Sequence, residues 1–232
     1  MINYKLFKIS LIFKLFVVLL IWKVTIVVMI GYRNYLPLNF QSDFLRGRES
    51  YFFGAYHFAF YTHIASGPVS LFLGTILLSE SFRVKYSRWH RNLGRIQTFC
   101  VLFLVAPSGL LMAYHAATGT IAALGFATLA AAAAAAISVA LGWRAAVTRR
   151  YRDHQRWMLR CFLLLCSAVV LRLFGGLAVV AGIGADWAYS LAAWASWLVP
   201  LAAFELSPLG YWRSRSQIGQ HDSMPKRQEL IH

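Results

Sequence analysis

The residues of this 232-residue sequence whose type and place could do chemistry are a few histidines and one arginine, all inside or beside apolar runs. The densest stretch is His57-Phe58-Ala59-Phe60-Tyr61-Thr62-His63-Ile64-Ala65-Ser66-Gly67, which opens an apolar run ending near Leu78. On a helix, His63, Gly67, Ser70 and Gly74 share one face, at i, i+4, i+7 and i+11. A titratable ring followed by small residues either admits a second helix backbone at close range or leaves room for a flat cofactor. Arg172 is the most demanding residue. A guanidinium within an apolar run costs at least about 2.5–3.5 kcal/mol on insertion scales and keeps its charge, so it faces the bundle or a wet cavity. Its helix face continues into Gly175 and Gly176. No Asp or Glu falls at its depth on any span, since Asp186 comes at the outer surface and Glu205 near the inner one. Its counter-charge then comes from something bound: a haem propionate, a lipid phosphate or an anionic substrate. The competing reading is that Arg172 snorkels outward and bonds backbone carbonyls.

These residues must be positioned by membrane helices. With 59% hydrophobic and 13% charged residues, the chain has too little polar surface for a water-soluble fold. Apolar runs near the roughly 20 residues needed to cross a bilayer recur six times. The fold class expected is an all-α polytopic bundle, with spans over 11–31, 51–78, 96–116, 120–143, 158–183 and 187–206 and a polar tail over 207–232. The first span resembles a signal peptide at its basic start, but its apolar core is too long and no small-residue cleavage site follows, so it reads as a retained helix. Tyr32 to Ser50 reads as an exposed connection, and Pro107-Ser108-Gly109 as a kink in the third span. The alanine run Ala130 to Ala136 reads as a closely packed helix without chemistry.

The net charge of +15 does not point to nucleic acid, because the basic residues sit in short connections. Lys and Arg cluster at the amino terminus, around His90, around His154 and in the tail, whereas the other three connections carry almost none. The positive-inside rule therefore puts both termini and both basic loops in the cytoplasm. Cys100, Cys161 and Cys166 are odd in number and lie in apolar segments, which implies no disulfide framework. Phosphate-binding glycine loops, cysteine–histidine metal clusters and nucleophile elbows are all missing from the sequence.

Topology sorts the histidines into two layers. His57, His63 and His115 fall toward the outer face, and His90 and His154 at the inner face. His90 and His154 stand beside arginine and tryptophan, where such residues ordinarily anchor helix ends in the headgroup layer. His57 reads as an interfacial polar residue among aromatics. His63 is a functional candidate by its depth, with His115 its nearest partner in type.

His63-Ile64-Ala65-Ser66-Gly67, Trp89-His90-Arg91-Asn92-Leu93-Gly94-Arg95, His154-Gln155-Arg156-Trp157-Met158-Leu159-Arg160 and Leu171-Arg172-Leu173 together resemble the signature of a bacterial family of predicted membrane proteins without an established activity. That resemblance covers most of the chain after about Tyr51 and implies a multi-pass protein of the bacterial cytoplasmic membrane. The chain also resembles the six-helix diheme cytochromes b, in which paired histidines hold one haem near each face. That resemblance implies haem b as cofactor, with an outer iron on His63 or His57 together with His115, Arg172 serving the propionates, an inner pair His90 and His154 amid arginines, and quinone as electron partner. The sequence departs from that pattern: the fourth span has no histidine, and His63 and His115 differ in depth by about 10 Å. Three functions stay open: a haem-b electron-transfer protein, a transporter or anion-binding protein with an outer His63–Arg172 pocket, and a non-catalytic scaffold binding anionic lipid or a partner protein through its basic loops.

Overall fold

A computed structural model describes residues 2–42, 44–119, 122–184 and 186–207, with side chains from residue 12 onward other than Asp186. The expected polar tail beyond Ser207 lies outside the described residues. The described chain is helical, and six of its helices are long and apolar enough to cross a membrane. They are α1 (Ile2–Gly31), α3 (Ala55–Leu77), the rod α5 (Ser87–Phe99) to α6 (Ala106–Ala117), α7 (Ala122–Val147), the rod α8 (Tyr151–Leu165) to α9 (Ser167–Val180), and α10 (Asp186–Leu206). Two short helices, α2 (Glu49–Phe52) and α4 (Glu80–Lys85), lie in the connections before and after α3.

Four rods form the centre: α3, α5–α6, α7 and α8, each packed on the next, with α8 closing back on α3. Helix α1 lies outside against α3 and α9, and α10 lies against α7, α8 and α9. Small residues permit this closeness. In α7, Ala127, Ala131, Ala135 and Val139 are buried at four-residue spacing, the stripe expected of close helix packing in a membrane. A Cβ on Gly125 would sit 2.1 Å from the Ala117 backbone nitrogen, so α6 and α7 meet backbone to backbone there. The alanine-rich helix is thus packed as its composition implies.

Two rods depart from simple α-helix. Between α5 and α6, Cys100–Val105 is a π-helical turn, marked by the Ala106 N–H donating to the Val101 carbonyl. The expected proline kink therefore takes the form of a widened turn just before Pro107, which lacks an N–H to donate. The α8–α9 rod tightens at Cys166, whose carbonyl accepts from both Val169 and Val170.

The termini of the bundle differ in character. At one, called the basic end, α4 and the starts of α5 and α8 carry the arginines. The Trp89–Arg95 and His154–Arg160 blocks are helical there, because α5 and α8 begin at Ser87 and Tyr151, well before the apolar runs. At the other, the aromatic end, the connection from Tyr32 to Phe53 is not the exposed loop its polar residues led one to expect. Leu45 and Phe52 are fully buried with Phe60 and Tyr56, and Tyr35, Phe40 and Phe44 close around them. The physical reason is its aromatic content: Phe44 stacks on Phe60, and Tyr35 and Phe52 meet rings edge-on. Gly54, at φ +112°, turns this cap into α3.

Candidate functional site

His63 lies between α3 and α6. Its Nδ1 is 3.2 Å from the Val105 carbonyl oxygen and 3.1 Å from Ser108 Oγ. The Ser108 hydroxyl gives its proton to the carbonyls of Leu104 and Val105. Both neighbours of Nδ1 therefore offer oxygen lone pairs, so Nδ1 carries the ring proton and Nε2 keeps a free lone pair. The π-turn and Pro107 immediately precede this seat; Pro107, lacking an N–H, withdraws the donor that the Phe103 carbonyl one turn back would otherwise receive. Gly109 completes the seat: a Cβ there would come within 3.2 Å of the His63 ring. Ser108 was visible in the sequence only as part of a kink motif; its pairing with His63 depends on a turn that no local pattern announces.

The glycine face that follows His63 is partly filled. At Gly74 the Phe162 ring lies flat where a side chain would be, 2.5 Å from an added Cβ. At Gly67 nothing stands within 4 Å. The same openness holds at Gly175 and Gly176 on α9. Arg172, one turn before them, lies close enough to act electrostatically on both Tyr32 and His63. Its neighbours Val169 and Leu173 pack with Ile21 of α1 and Leu71 of α3, whereas Arg172 itself is exposed at the edge of that packed face. The guanidinium Nη1 donates to the Ala168 carbonyl at 2.8 Å. Of the two readings of Arg172, an exposed side chain bonded to a backbone carbonyl accords with the competing one, and its charge remains without an acidic partner among the described residues. Ala168 lies one turn back toward the basic end, so the guanidinium leans along the helix away from the near end of α9. Among the described residues Arg172 enters no ion pair.

The structure does not bring His63 and His115 together. His115 stacks on Tyr51 with ring centroids 4.8 Å apart and meets Tyr56 edge-on at 5.3 Å. Tyr56 is seven residues before His63, about 10 Å along the helix axis. Axial imidazoles on one iron need their nitrogens within about 4 Å, twice a metal–imidazole bond. His57 belongs to the aromatic cap, packed between Phe52, Phe58 and Tyr61.

At the basic end, His154 Nδ1 lies 2.9 Å from the Gly142 carbonyl, which again leaves Nε2 with the lone pair. His90, on α5, lies within electrostatic range of His154, and its own Nδ1 is buried without a partner. Between the two histidine layers a polar seam follows the α3–α5 interface. Cys100 Sγ lies 3.7 Å from the Ser66 carbonyl, Ser70 Oγ donates to Cys100 Sγ, and Gln97 Nε2 donates to the Ser70 carbonyl. From His90 to Ser108 this side of the third rod rises about 27 Å, close to a bilayer's hydrocarbon thickness. Sequence reasoning passed over Gln97, Tyr32 and Arg156; an amide mid-span at the position of Gln97 was the one legible signal.

Over residues 60–207 the chain matches the model of a family described as predicted membrane protein (DUF2306), and it belongs to that family. The matched stretch contains all four motif blocks around His63, His90, His154 and Arg172. No curated protein and no solved structure matches the chain.

Proposed function

We propose that this family member binds a small carboxylate within the membrane, in a pocket bounded by α1, α3 and α9. One observation supports it above the others: Arg172, exposed beside the packed α1–α3–α9 contact, holds a permanent charge within an apolar span, with no acidic partner among the described residues and one carbonyl of its own helix for company. A guanidinium has five N–H donors in a fork that fits a carboxylate. The free space at Gly67, Gly175 and Gly176 gives a ligand room. The basic end is taken to face the cytoplasm, because the Lys and Arg residues gather in its connections, and the bacterial cytoplasmic membrane is the proposed location.

The test uses the full chain in detergent, with acetate, succinate and octanoate as probes and choline as the cationic control. Thermal unfolding is followed for the natural sequence, Arg172→Gln and His63→Phe. A carboxylate-dependent rise in Tm that Arg172→Gln abolishes supports the pocket. A rise of equal size in Arg172→Gln, or no response to any carboxylate, refutes it.

A second reading, haem-b binding with quinone as electron partner, draws on a different observation. His63 and His154 both anchor Nδ1 on a backbone carbonyl, the outer-shell arrangement usual for ligating histidines. The residues fit an axial pair better at the basic end, where His90 and His154 approach from α5 and α8 with Arg83 near, than at the aromatic end. Absorption spectra of protein from haem-replete cells, oxidised and dithionite-reduced, decide it. A Soret band lost in His90→Ala or His154→Ala supports haem, and a colourless preparation removes it.

A further inference from the structure

The ion pair at the basic end between α8 and α10 has a surplus. Arg160 holds Glu205 in a two-pronged grip, Nε to Oε1 at 2.6 Å and Nη2 to Oε2 at 3.0 Å, with its guanidinium over the Trp157 ring at 4.4 Å. Arg156, one turn earlier on the same face of α8, is close enough to act on Glu205 electrostatically. It makes no hydrogen bond with it, because both carboxylate oxygens are already turned to Arg160. Arg156 Nε and Nη2 are buried without an acceptor. Two guanidinium groups against one carboxylate leave a net charge of +1 and two inward N–H groups unmatched. Buried unmatched donors of a charged group are costly, and the usual resolution is an anion with several acceptor oxygens. A phosphate diester, like a carboxylate, offers two oxygens that share a charge and accept from an arginine fork. The location favours a lipid as its source. The helices here carry Arg83, Lys85, Arg88, Arg91 and Arg95 on one side and Arg144, Arg149, Arg150 and Arg152 on the other, at the level where a span leaves the hydrocarbon. Trp157 beside Arg160 is the residue type enriched in that layer.

We propose that Arg156, supported by the Arg160–Glu205 pair, is the headgroup site for one anionic phospholipid, its phosphate seated on the guanidinium at the α8–α10 groove. The site is separate from the Arg172 pocket and stands or falls independently of it. Bound lipid would add to the contact between α10 and α8, which includes the Arg160–Glu205 pair and Arg160 over the Phe204 ring.

Delipidated full-length protein in neutral detergent is titrated with phosphatidylglycerol, with phosphatidylcholine and with inorganic phosphate. Binding is read by native mass spectrometry and by Tm. Phosphatidylglycerol is expected to remain bound as one discrete adduct and to raise Tm, with phosphatidylcholine at least about tenfold weaker. In Arg156→Gln the phosphatidylglycerol affinity is expected to fall about tenfold, the loss of one charge-assisted contact. Arg91→Gln, an exposed arginine on α5, is expected to keep it. Equal retention of the two lipids, or an unchanged affinity in Arg156→Gln, overturns the site. Saturation by inorganic phosphate at the lipid's concentration overturns the lipid assignment. Should Arg156→Gln fail to fold, Arg156→Lys is the substitute: it keeps the charge without the fork, and full affinity in it would also count against the proposal.

Discussion

Replacement of Arg172 by leucine separates a binding role from a structural one. Arg172 stands eight residues before the end of α9, about 12 Å along the axis and so inside an apolar layer about 30 Å thick. An arginine there costs up to about 2.5–3.5 kcal/mol on insertion scales, and a leucine gains about 0.5 kcal/mol. Against this stands the bond to the Ala168 carbonyl, about 1.5–3 kcal/mol for a charged donor. The sum runs from neutral to about 2 kcal/mol in favour of Arg172→Leu, a rise of a few degrees in Tm for a chain of this length. The opposite sign is expected with ligand. A carboxylate at one hundred times its Kd stabilises the natural protein by about 2.7 kcal/mol and the variant by nothing. Thermal unfolding of both proteins, with and without carboxylate, measures the four quantities together. A variant that is more than about 2 kcal/mol less stable without ligand, yet responds to carboxylate like the natural chain, would falsify the reasoning: Arg172 would then be a structural bond and the pocket would be elsewhere.

Gly67→Leu places a side chain where nothing stands within 4 Å. Stability is expected within about 1 kcal/mol of the natural protein, and the carboxylate-dependent Tm shift is expected to vanish; a retained shift would mean the ligand does not use this space. Gly125→Ala and Gly175→Ala are the same substitution with opposite outcomes. The first drives a methyl to 2.1 Å from backbone and should cost about 3 kcal/mol or more, while the second gains helix propensity of up to about 1 kcal/mol. Comparable Tm values for that pair would show that α6 and α7 are not packed as described. Glu205→Gln loosens the grip of Arg160, but with the two side chains 43% and 23% exposed the coupling is expected at about 1 kcal/mol or less, read from a double-mutant cycle with Arg160→Gln. A coupling of several kcal/mol would mark the pair as buried in the lipid-bound protein.

The six spans were legible because length and apolarity are properties of single segments. Their starts were harder: α5 and α8 begin as amphipathic helices at Ser87 and Tyr151, and polar residues there mimic loops. The cap was misread for a related reason. Asn34, Pro37, Asn39 and Gly47 carry the punctuation of a loop, and only the third dimension brings Phe44 onto Phe60. His63 could be chosen from depth alone, but its seat could not. The Val105 carbonyl and Ser108 reach it from just after a π-turn, a register change along the chain that leaves no pattern in the residue types. The pairing of His63 with His115 was drawn from residue type and rough depth, and the axial offset of two turns separates them. For Arg172 the sequence supplied the charge and the lack of an acidic partner; its exposure and its bond to the Ala168 carbonyl depend on how α9 sits against α1 and α3.

The walls around the proposed pocket also constrain how a ligand reaches it. Ile21, Leu71, Cys166 and Val169 form an apolar floor where α1, α3 and the α8–α9 junction meet. Trp22 pins α1 to α3 just there, its Nε1 donating to Thr75 Oγ1 at 3.0 Å and its ring edge-on to Phe72. The aromatic cap around Phe52 and Phe60 roofs the other side. With floor and roof packed, the remaining way in is sideways between α1 and α9, whose outer residues such as Val27, Leu177 and Val180 are exposed to the bilayer. A ligand arriving through the bilayer must carry an apolar part, so the carboxylate proposed for Arg172 should belong to a chain. Each methylene that stays in hydrocarbon is worth up to about 0.8 kcal/mol. Octanoate, six methylenes longer than acetate, should therefore bind about fiftyfold more tightly even if half of that gain is lost. Titration of acetate, butyrate and octanoate against Tm gives the slope directly. A steep slope that disappears in Arg172→Gln fits lateral entry of an amphiphilic acid. A flat slope means a water-filled route through the cap, which would require Tyr35, Phe44 and Phe60 to part, and would move attention from α1 to the connection before α3.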